Sequence, residues 1–184
     1  MKNLRELFLV IEGIDGAGKT TCAKILAEKL NAYYYKTPPG IFEKIRPEIE
    51  IFSDPLTRFS FYLASVFYAS IEISKIIAWR PVVCDHYLLS TIAYHRAIGL
   101  NLSWVNFSQL PIILPNINFY LHADENTYLE RLKKRYPVID SALEKNREFQ
   151  RKVHEEFFRL NVVPIDTTSL SINEVVEQLL SKIP

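Results

Sequence analysis

The sequence predicts a three-layer α/β domain: a five-stranded parallel sheet with helices on both faces. Three observations predict it. The first is an apolar run, Leu7-Phe-Leu-Val-Ile-Glu12, that passes into Gly13-Ile-Asp-Gly-Ala-Gly-Lys-Thr20 and then directly into a helical pattern. A run that is apolar at successive positions belongs to a strand covered on both faces. The second is alternation: strand-like runs recur with helical segments between them, so the connections are crossovers rather than hairpins. The third is composition. A chain of 184 residues, 48% hydrophobic and 23% charged, can bury one sizeable core and is not expected to be disordered.

The first strand gives way to glycines, and the helix Thr21-Cys-Ala-Lys-Ile-Leu-Ala-Glu-Lys-Leu30 follows at once. Asn31 to Lys36 reads as a short aromatic strand stopped by Thr37-Pro-Pro-Gly40 at the carboxyl edge of the sheet. Ligands bind at that edge in open α/β sheets. Ile41 to Ile51 has helical spacing and should be broken at Pro47. Asp54-Pro55 has the form of a helix cap with proline at the first helical position, and a long helix should run to about Trp79. Its apolar content is too wide for a surface stripe, so much of it should be buried. Arg58 is the one cation on its first two turns.

Pro81-Val-Val-Cys84 is a second buried strand, ending in Asp85-His86-Tyr87. The helix Leu88 to about Ile98 carries Ser90, Thr91, Tyr94 and His95 on neighbouring positions, either a solvated face or a substrate-contacting one. Gly99 to Pro115 is a long connection with a helical turn expected near Ser103. Asn116 to His122 is the next strand, Asp124 caps the helix Glu125 to Arg135, and Lys133-Lys-Arg135 ends it. Tyr136-Pro-Val-Ile-Asp140 and a charged helix from Ser141 to Arg159 read either as a mobile lid, about 133–145, or as a plain helical hairpin. Val162 to Asp166 is the last strand and Ser171 to Lys182 the last helix. Neither a repeat nor a linker interrupts residues 1–184, so a single domain is expected.

Composition also excludes. A net charge of +1 supplies no basic field for a nucleic acid polymer. Met1 to Glu6 leads straight into the first strand, so no secretory leader is expected. No run was long and apolar enough to suggest a membrane span. Cys22 and Cys84 lack metal-ligand spacing and fit buried free thiols in a cytoplasmic protein, with a disulfide as the lesser alternative.

Strand, G-x-x-x-x-G-K-T and helix in this order form a phosphate-binding loop. Gly13, Gly16 and Gly18 let backbone N–H groups turn inward with those of Asp15 and Ala17, and the helix start adds partial positive charge. Lys19 then reaches the outer phosphates of ATP, Thr20 offers a hydroxyl to Mg2+, and Thr21 opens the helix. Asp85, a carboxylate at a strand end, suits Mg2+ as well, or caps the helix that follows.

With these motifs together, the chain resembles the thymidylate kinase family of P-loop nucleoside monophosphate kinases. The match runs from Ile11-Glu-Gly-Ile-Asp-Gly-Ala-Gly-Lys-Thr-Thr21 through Val82-Val-Cys-Asp-His-Tyr87 and Leu89-Ser-Thr-Ile-Ala-Tyr94 to the lid helix. The resemblance implies that Asp15 faces the sugar hydroxyl of the acceptor and that Asp85 sits near Mg2+ and the acceptor phosphate. It implies further that lid cations, Arg135 first, meet the transferring phosphoryl group, and that two copies pair through their long helices as a homodimer. Several positions depart from the family pattern. His86 stands where the family has Arg, Thr37-Pro-Pro-Gly40 replaces Arg-Glu-Pro-Gly, Ser65 replaces a base-contacting Arg, and Asp140-Ser141 replaces the lid's Asp-Arg. Gly16 occupies a position where some members carry a catalytic Arg. Lys36-Thr-Pro-Pro39 and Arg58 resemble the branch containing the mitochondrial UMP–CMP kinase.

The expected reaction is Mg2+-dependent transfer of the ATP γ-phosphoryl group to a pyrimidine nucleoside monophosphate, dTMP first, with UMP, CMP or dCMP as the alternative. A deoxynucleoside kinase, or a P-loop switch without a small acceptor, are the rivals. Lys36, Arg58, Tyr62, His86, Thr91 and His95 are the substrate-binding candidates beside Asp15. Phe59, Tyr62 and Tyr94 are expected to sandwich the base, and the missing Arg at Ser65 implies weak discrimination among pyrimidines.

Overall fold

A computed structural model describes residues 6–135 and 147–183, with the side chains of Lys133 and Arg135 left aside. The described residues form five strands, β1 (Phe8–Gly13), β2 (Tyr33–Lys36), β3 (Val82–Asp85), β4 (Ile117–His122) and β5 (Val163–Asp166). All pair in parallel, in the order β2-β3-β1-β4-β5. Seven α-helices join them: α1 (Lys19–Lys29), α2 (Gly40–Phe52), α3 (Pro55–Ile77), α4 (Leu88–Ala97), α5 (Glu125–Arg135), α6 (Arg147–Phe158) and α7 (Ile172–Ser181).

The apolar run of β1 has its cause in the layering. Leu9 and Ile11 enter one core with Leu26 of α1, Phe157 of α6 and Val176 of α7. Phe8 and Val10 point the other way, into a core with Phe59, Val66 and Ile73 of α3 and Ile92 of α4. A central strand with both sides buried has no position at which a polar side chain escapes burial. Glu12, the exception, is fully buried and therefore needs partners.

Helix starts follow their caps. Asp54 accepts hydrogen bonds from the amides of Leu56 (2.8 Å) and Thr57 (3.1 Å) at the start of α3. Contacts with the Thr57 hydroxyl and amide hold its carboxyl below the usual range. Asp124 caps α5 by accepting from the Thr127 amide at 2.8 Å, and Ser171 with Glu174 forms a capping box on α7. Cys22 and Cys84 are buried free thiols, and burial pushes that of Cys22 up to about 11.

Several expectations need correction. Pro47 does not break α2, which runs through it to Phe52. The lost N–H would have met the carbonyl of Glu43 on an exposed helix, where solvent can take its place. The long connection forms its 3-10 turn at Phe107–Gln109, after a plain turn at residues 103–104. α3 is less buried than its composition suggested: Phe59, Val66, Ala69 and Ile73 are inside, whereas Leu56, Tyr68 and Ile71 are exposed. At 23 residues it is also long and apolar enough to cross a membrane by length and composition. One face of it packs on Phe8 and Val10 of β1 and Val82 and Cys84 of β3.

Candidate active site

A cavity of about 620 Å3 opens at the carboxyl edge of the sheet, where β1, β2 and β3 deliver their loops. The phosphate loop forms its floor. Gly13 pairs across the sheet with Leu121, and a Cβ there would lie 2.2 Å from the Leu121 carbonyl oxygen. Gly16 has φ +81°, and its Cβ would meet the Tyr128 carbonyl oxygen at 2.9 Å. No other residue type fits either place without moving backbone. Lys19 is 6% exposed, and its ammonium donates to the Ile14 carbonyl at 2.7 Å and to Asp15 Oδ1 at 3.3 Å. Ammonium and carboxylate are thereby held together over the loop.

Asp85, at the end of β3, is fully buried. Its Oδ2 accepts from the Thr20 hydroxyl at 2.6 Å and from the Tyr34 phenol at 3.0 Å. Burial and the Asp85 charge push the Tyr34 phenol well above its ordinary value, so it stays a donor. Oδ1 of Asp85 is buried with no partner among the described residues. A carboxylate oxygen left over beside a threonine hydroxyl fits a small, hard divalent cation, which takes one or two carboxylates and completes its shell with water and phosphate oxygens. No cluster of three or more metal-ligating side chains occurs among the described residues. Asp85 does not cap α4: its cap residue is Tyr87, without a side-chain hydrogen bond.

The junction after Asp85 is organised by Glu12. Its Oε1 accepts from the Tyr87 amide at 3.1 Å, and its Oε2 accepts from the Ser90 hydroxyl. His86, at φ +66°, places Nδ1 2.7 Å from Ser90 Oγ and 3.6 Å from Glu12 Oε2. His86 lines the cavity, with this ring edge turned towards the serine and the glutamate.

The far wall is built by α2, α3 and α4. Lys36, Arg58, Tyr62, Thr91 and His95 all line the cavity, with Tyr94 beside them. Thr91 and His95 are buried, so the polar stripe of α4 is a cavity wall rather than a solvated face. Tyr62 donates to Glu50, which holds Arg46 at 3.5 Å. Phe59 is the exception to the expected sandwich: it is fully buried in the core, edge-on to His95 at 5.5 Å, and does not line the cavity.

Asp15, Gly16, Gly18, Lys19, Thr20 and Thr21 face the cavity; Ala17 is buried behind the loop, and Gly13 is the last residue of β1. Arg135 ends α5, but its side chain and residues 136–146, most of the expected lid, lie outside the described residues. The sequence reading left Arg46 and Gln150, which also line the cavity, out of the site. Arg131 is fixed by Thr167, donating to its hydroxyl at 3.0 Å and its carbonyl at 2.8 Å, and lines the cavity near the loop. Neither Arg46 nor Gln150 belongs to a motif, and only the fold brings them in.

A phosphate loop with room beside it for a second small molecule defines the class, a P-loop kinase of nucleotides. The thymidylate kinase family model matches residues 11–183, and the chain belongs to that family of nucleoside monophosphate kinases. It is 35% identical over 184 residues to a probable thymidylate kinase of Methanocaldococcus jannaschii, covering 95% of this chain and 94% of the relative. A probable thymidylate kinase of Methanococcus maripaludis is 33% identical over 195 residues, covering 96% and 94%. Among solved structures, the thymidylate kinase of Candida albicans superposes with a TM-score of 0.80 at 23% identity, covering 96% of this chain and 90% of that one. At that identity the likeness speaks for the fold.

Proposed function

We propose that the chain is a thymidylate kinase that transfers the γ-phosphoryl group of ATP to dTMP, giving dTDP and ADP. The observation that carries the reading is the bond between Thr20 and the buried Asp85 beside the phosphate loop, opening on a cavity with space for an acceptor. In this reading the loop amides and the Lys19 ammonium hold the donor phosphates, and their positive charge meets the charge that builds on the transferring group. The Thr20 hydroxyl and the unpartnered Asp85 oxygen would hold Mg2+, which would supply positive charge against the donor phosphates. Arg131 and Arg46 add two further cations to the lining of the cavity. Asp15, held by Lys19, faces the acceptor sugar, and His86 with Lys36 lies where the acceptor phosphate enters.

The exposed Leu56, Tyr68 and Ile71 on the outer side of α3 support pairing of two copies through the long helices. The test of function is a coupled ADP-release assay over the common ribo- and deoxyribonucleoside monophosphates at equal concentration. dTMP should lead. A preference for AMP or GMP, or transfer to none of them while ATP still binds, overturns the assignment.

A further inference from the structure

Two side chains that line the cavity have hydrogen-bonding roles fixed by their surroundings. His95 lies on α4, which starts at Leu88 beside Asp85. Seven residues of helix place it roughly 10 Å along α4 from that start, about the reach from the phosphate of a nucleotide to its base. Its Nδ1 lies 2.7 Å from the Thr91 carbonyl. A carbonyl oxygen only accepts, so Nδ1 carries the ring proton, and Nε2 of the neutral ring is an acceptor. Burial first, and then the neighbouring charge of Arg58, disfavour a second proton, against the pull of the Thr91 carbonyl. Phe59 at 5.5 Å and Tyr62 at 5.8 Å fix the plane of the ring.

Arg58 supplies the opposite role. A guanidinium only donates, and the Nε of Arg58 is buried without a partner among the described residues. A buried donor left unmade is costly, so this site is poised for an acceptor. Ser65, which replaces the family's arginine, does not compete, since its hydroxyl donates to the Tyr62 carbonyl at 2.7 Å within its own helix.

We propose that His95 and Arg58 read the edge of the acceptor base as a fixed acceptor–donor pair, admitting thymine and uracil and rejecting cytosine. Thymine and uracil carry an N3–H donor next to the O4 acceptor, complementary to His95 Nε2 and the Arg58 guanidinium. Cytosine carries an N3 acceptor next to the N4 amino donor, so both contacts become like-to-like. The 5-methyl group alone separates thymine from uracil, and the pair is indifferent to it. Discrimination is thus sharp against cytosine and shallow against uracil, unlike the uniformly weak preference expected from the missing arginine.

The proposal rests on the thymidylate kinase reading and is tested separately from it. We would measure kcat/KM for dTMP, dUMP and dCMP in the wild type, His95→Gln and Arg58→Met. A site that pairs with a substrate's polar edge rejects the mismatched analogue by roughly 10²-fold or more, so the wild type should prefer dTMP to dCMP by at least that factor. A glutamine amide can turn either its oxygen or its NH2 to the base, so in His95→Gln the ratio should fall at least tenfold (about 1.4 kcal/mol in discrimination), with dCMP turnover rising. Arg58→Met, on a half-exposed residue, should lower the ratio through loss of dTMP turnover and carries the test alone if His95→Gln fails to fold. Loss of fold would lower all three substrates together and leave the ratio unmoved. Equal use of dTMP and dCMP by the wild type, or an unchanged ratio in folded variants, overturns this proposal alone. A wild type that phosphorylates no monophosphate overturns the proposal together with the reading beneath it.

Discussion

Replacing Ser90 by alanine tests the junction that aims the site. Ser90 donates to Oε2 of the fully buried Glu12 and meets His86 Nδ1 at 2.7 Å. The substitution leaves one oxygen of a buried carboxylate with only His86, 3.6 Å away. A hydrogen bond to a charged group contributes about 1.5–3 kcal/mol, and small movements of His86 should recover part of it. The expected loss is therefore about 1.5–2 kcal/mol, or about 3–8 °C in Tm for a chain of this size. Urea unfolding of the wild type, Ser90→Ala, Glu12→Gln and the double variant gives both the loss and the coupling. Two residues in direct contact should couple by about 1 kcal/mol or more. Because Glu12 also accepts from the Tyr87 amide, the acceptor KM should rise in Ser90→Ala while the KM for ATP stays near its wild-type value. A loss below about 0.5 kcal/mol, or additive single effects, would show that the buried glutamate is satisfied in another way.

Three further outcomes follow from the geometry. Lys19→Ala should lower phosphoryl transfer by at least about 10²-fold with a Tm within a few degrees of wild type, since both bonds of the ammonium stay within its own loop; unfolding of the variant by differential scanning fluorimetry would refute this. Gly16→Ala forces a left-handed residue and a 2.9 Å approach to the Tyr128 carbonyl, costing about 1–2 kcal/mol; wild-type Tm and ATP affinity together would contradict it. His122 and His154, with ring centroids 5.3 Å apart, are both held below the ordinary 6.5 by burial, and His154 also by the neighbouring His122, as His95 is by burial and Arg58. The unfolded chain takes up protons that the folded one refuses, so stability is complete above about pH 6.5 and falls as the medium is acidified below it. The urea midpoint should drop between pH 7.5 and 5, less steeply in His154→Phe, and an equal drop in both proteins would acquit the pair.

Much of the architecture could be read from local chemistry. The β1 run, the glycine loop and the Asp54-Pro55 cap each fix their element through nearest neighbours, and each stands where it was expected. Strand order was not legible, because covered parallel strands look alike in sequence whichever strand lies beside them. Phe59 and Tyr62 show the same limit within one helix: apolar spacing marks both as inward, yet one fills the core and the other lines the cavity. Pro47 failed as a helix breaker because its effect depends on whether solvent can reach the carbonyl it abandons. Glu12 did carry a usable signal. A carboxylate closing an otherwise apolar, doubly covered strand must have buried donors, and these are Tyr87 and Ser90.

The placement of β1 at the centre of the sheet has a consequence for how the protein is made. The phosphate loop is encoded within the first twenty residues, but its supports come late. Gly13 lies against Leu121, Gly16 against Tyr128, and the Ala17 carbonyl accepts from the Thr167 hydroxyl at 3.4 Å. During synthesis the loop emerges well before these neighbours exist, and the pairing that fixes it spans long sequence separations, which slows folding. Nucleotide binding thereby becomes a report on completion. A nascent chain stalled before residue 167 should carry the whole motif and hold no ATP, so the ligand stabilises only molecules whose synthesis has passed the last strand.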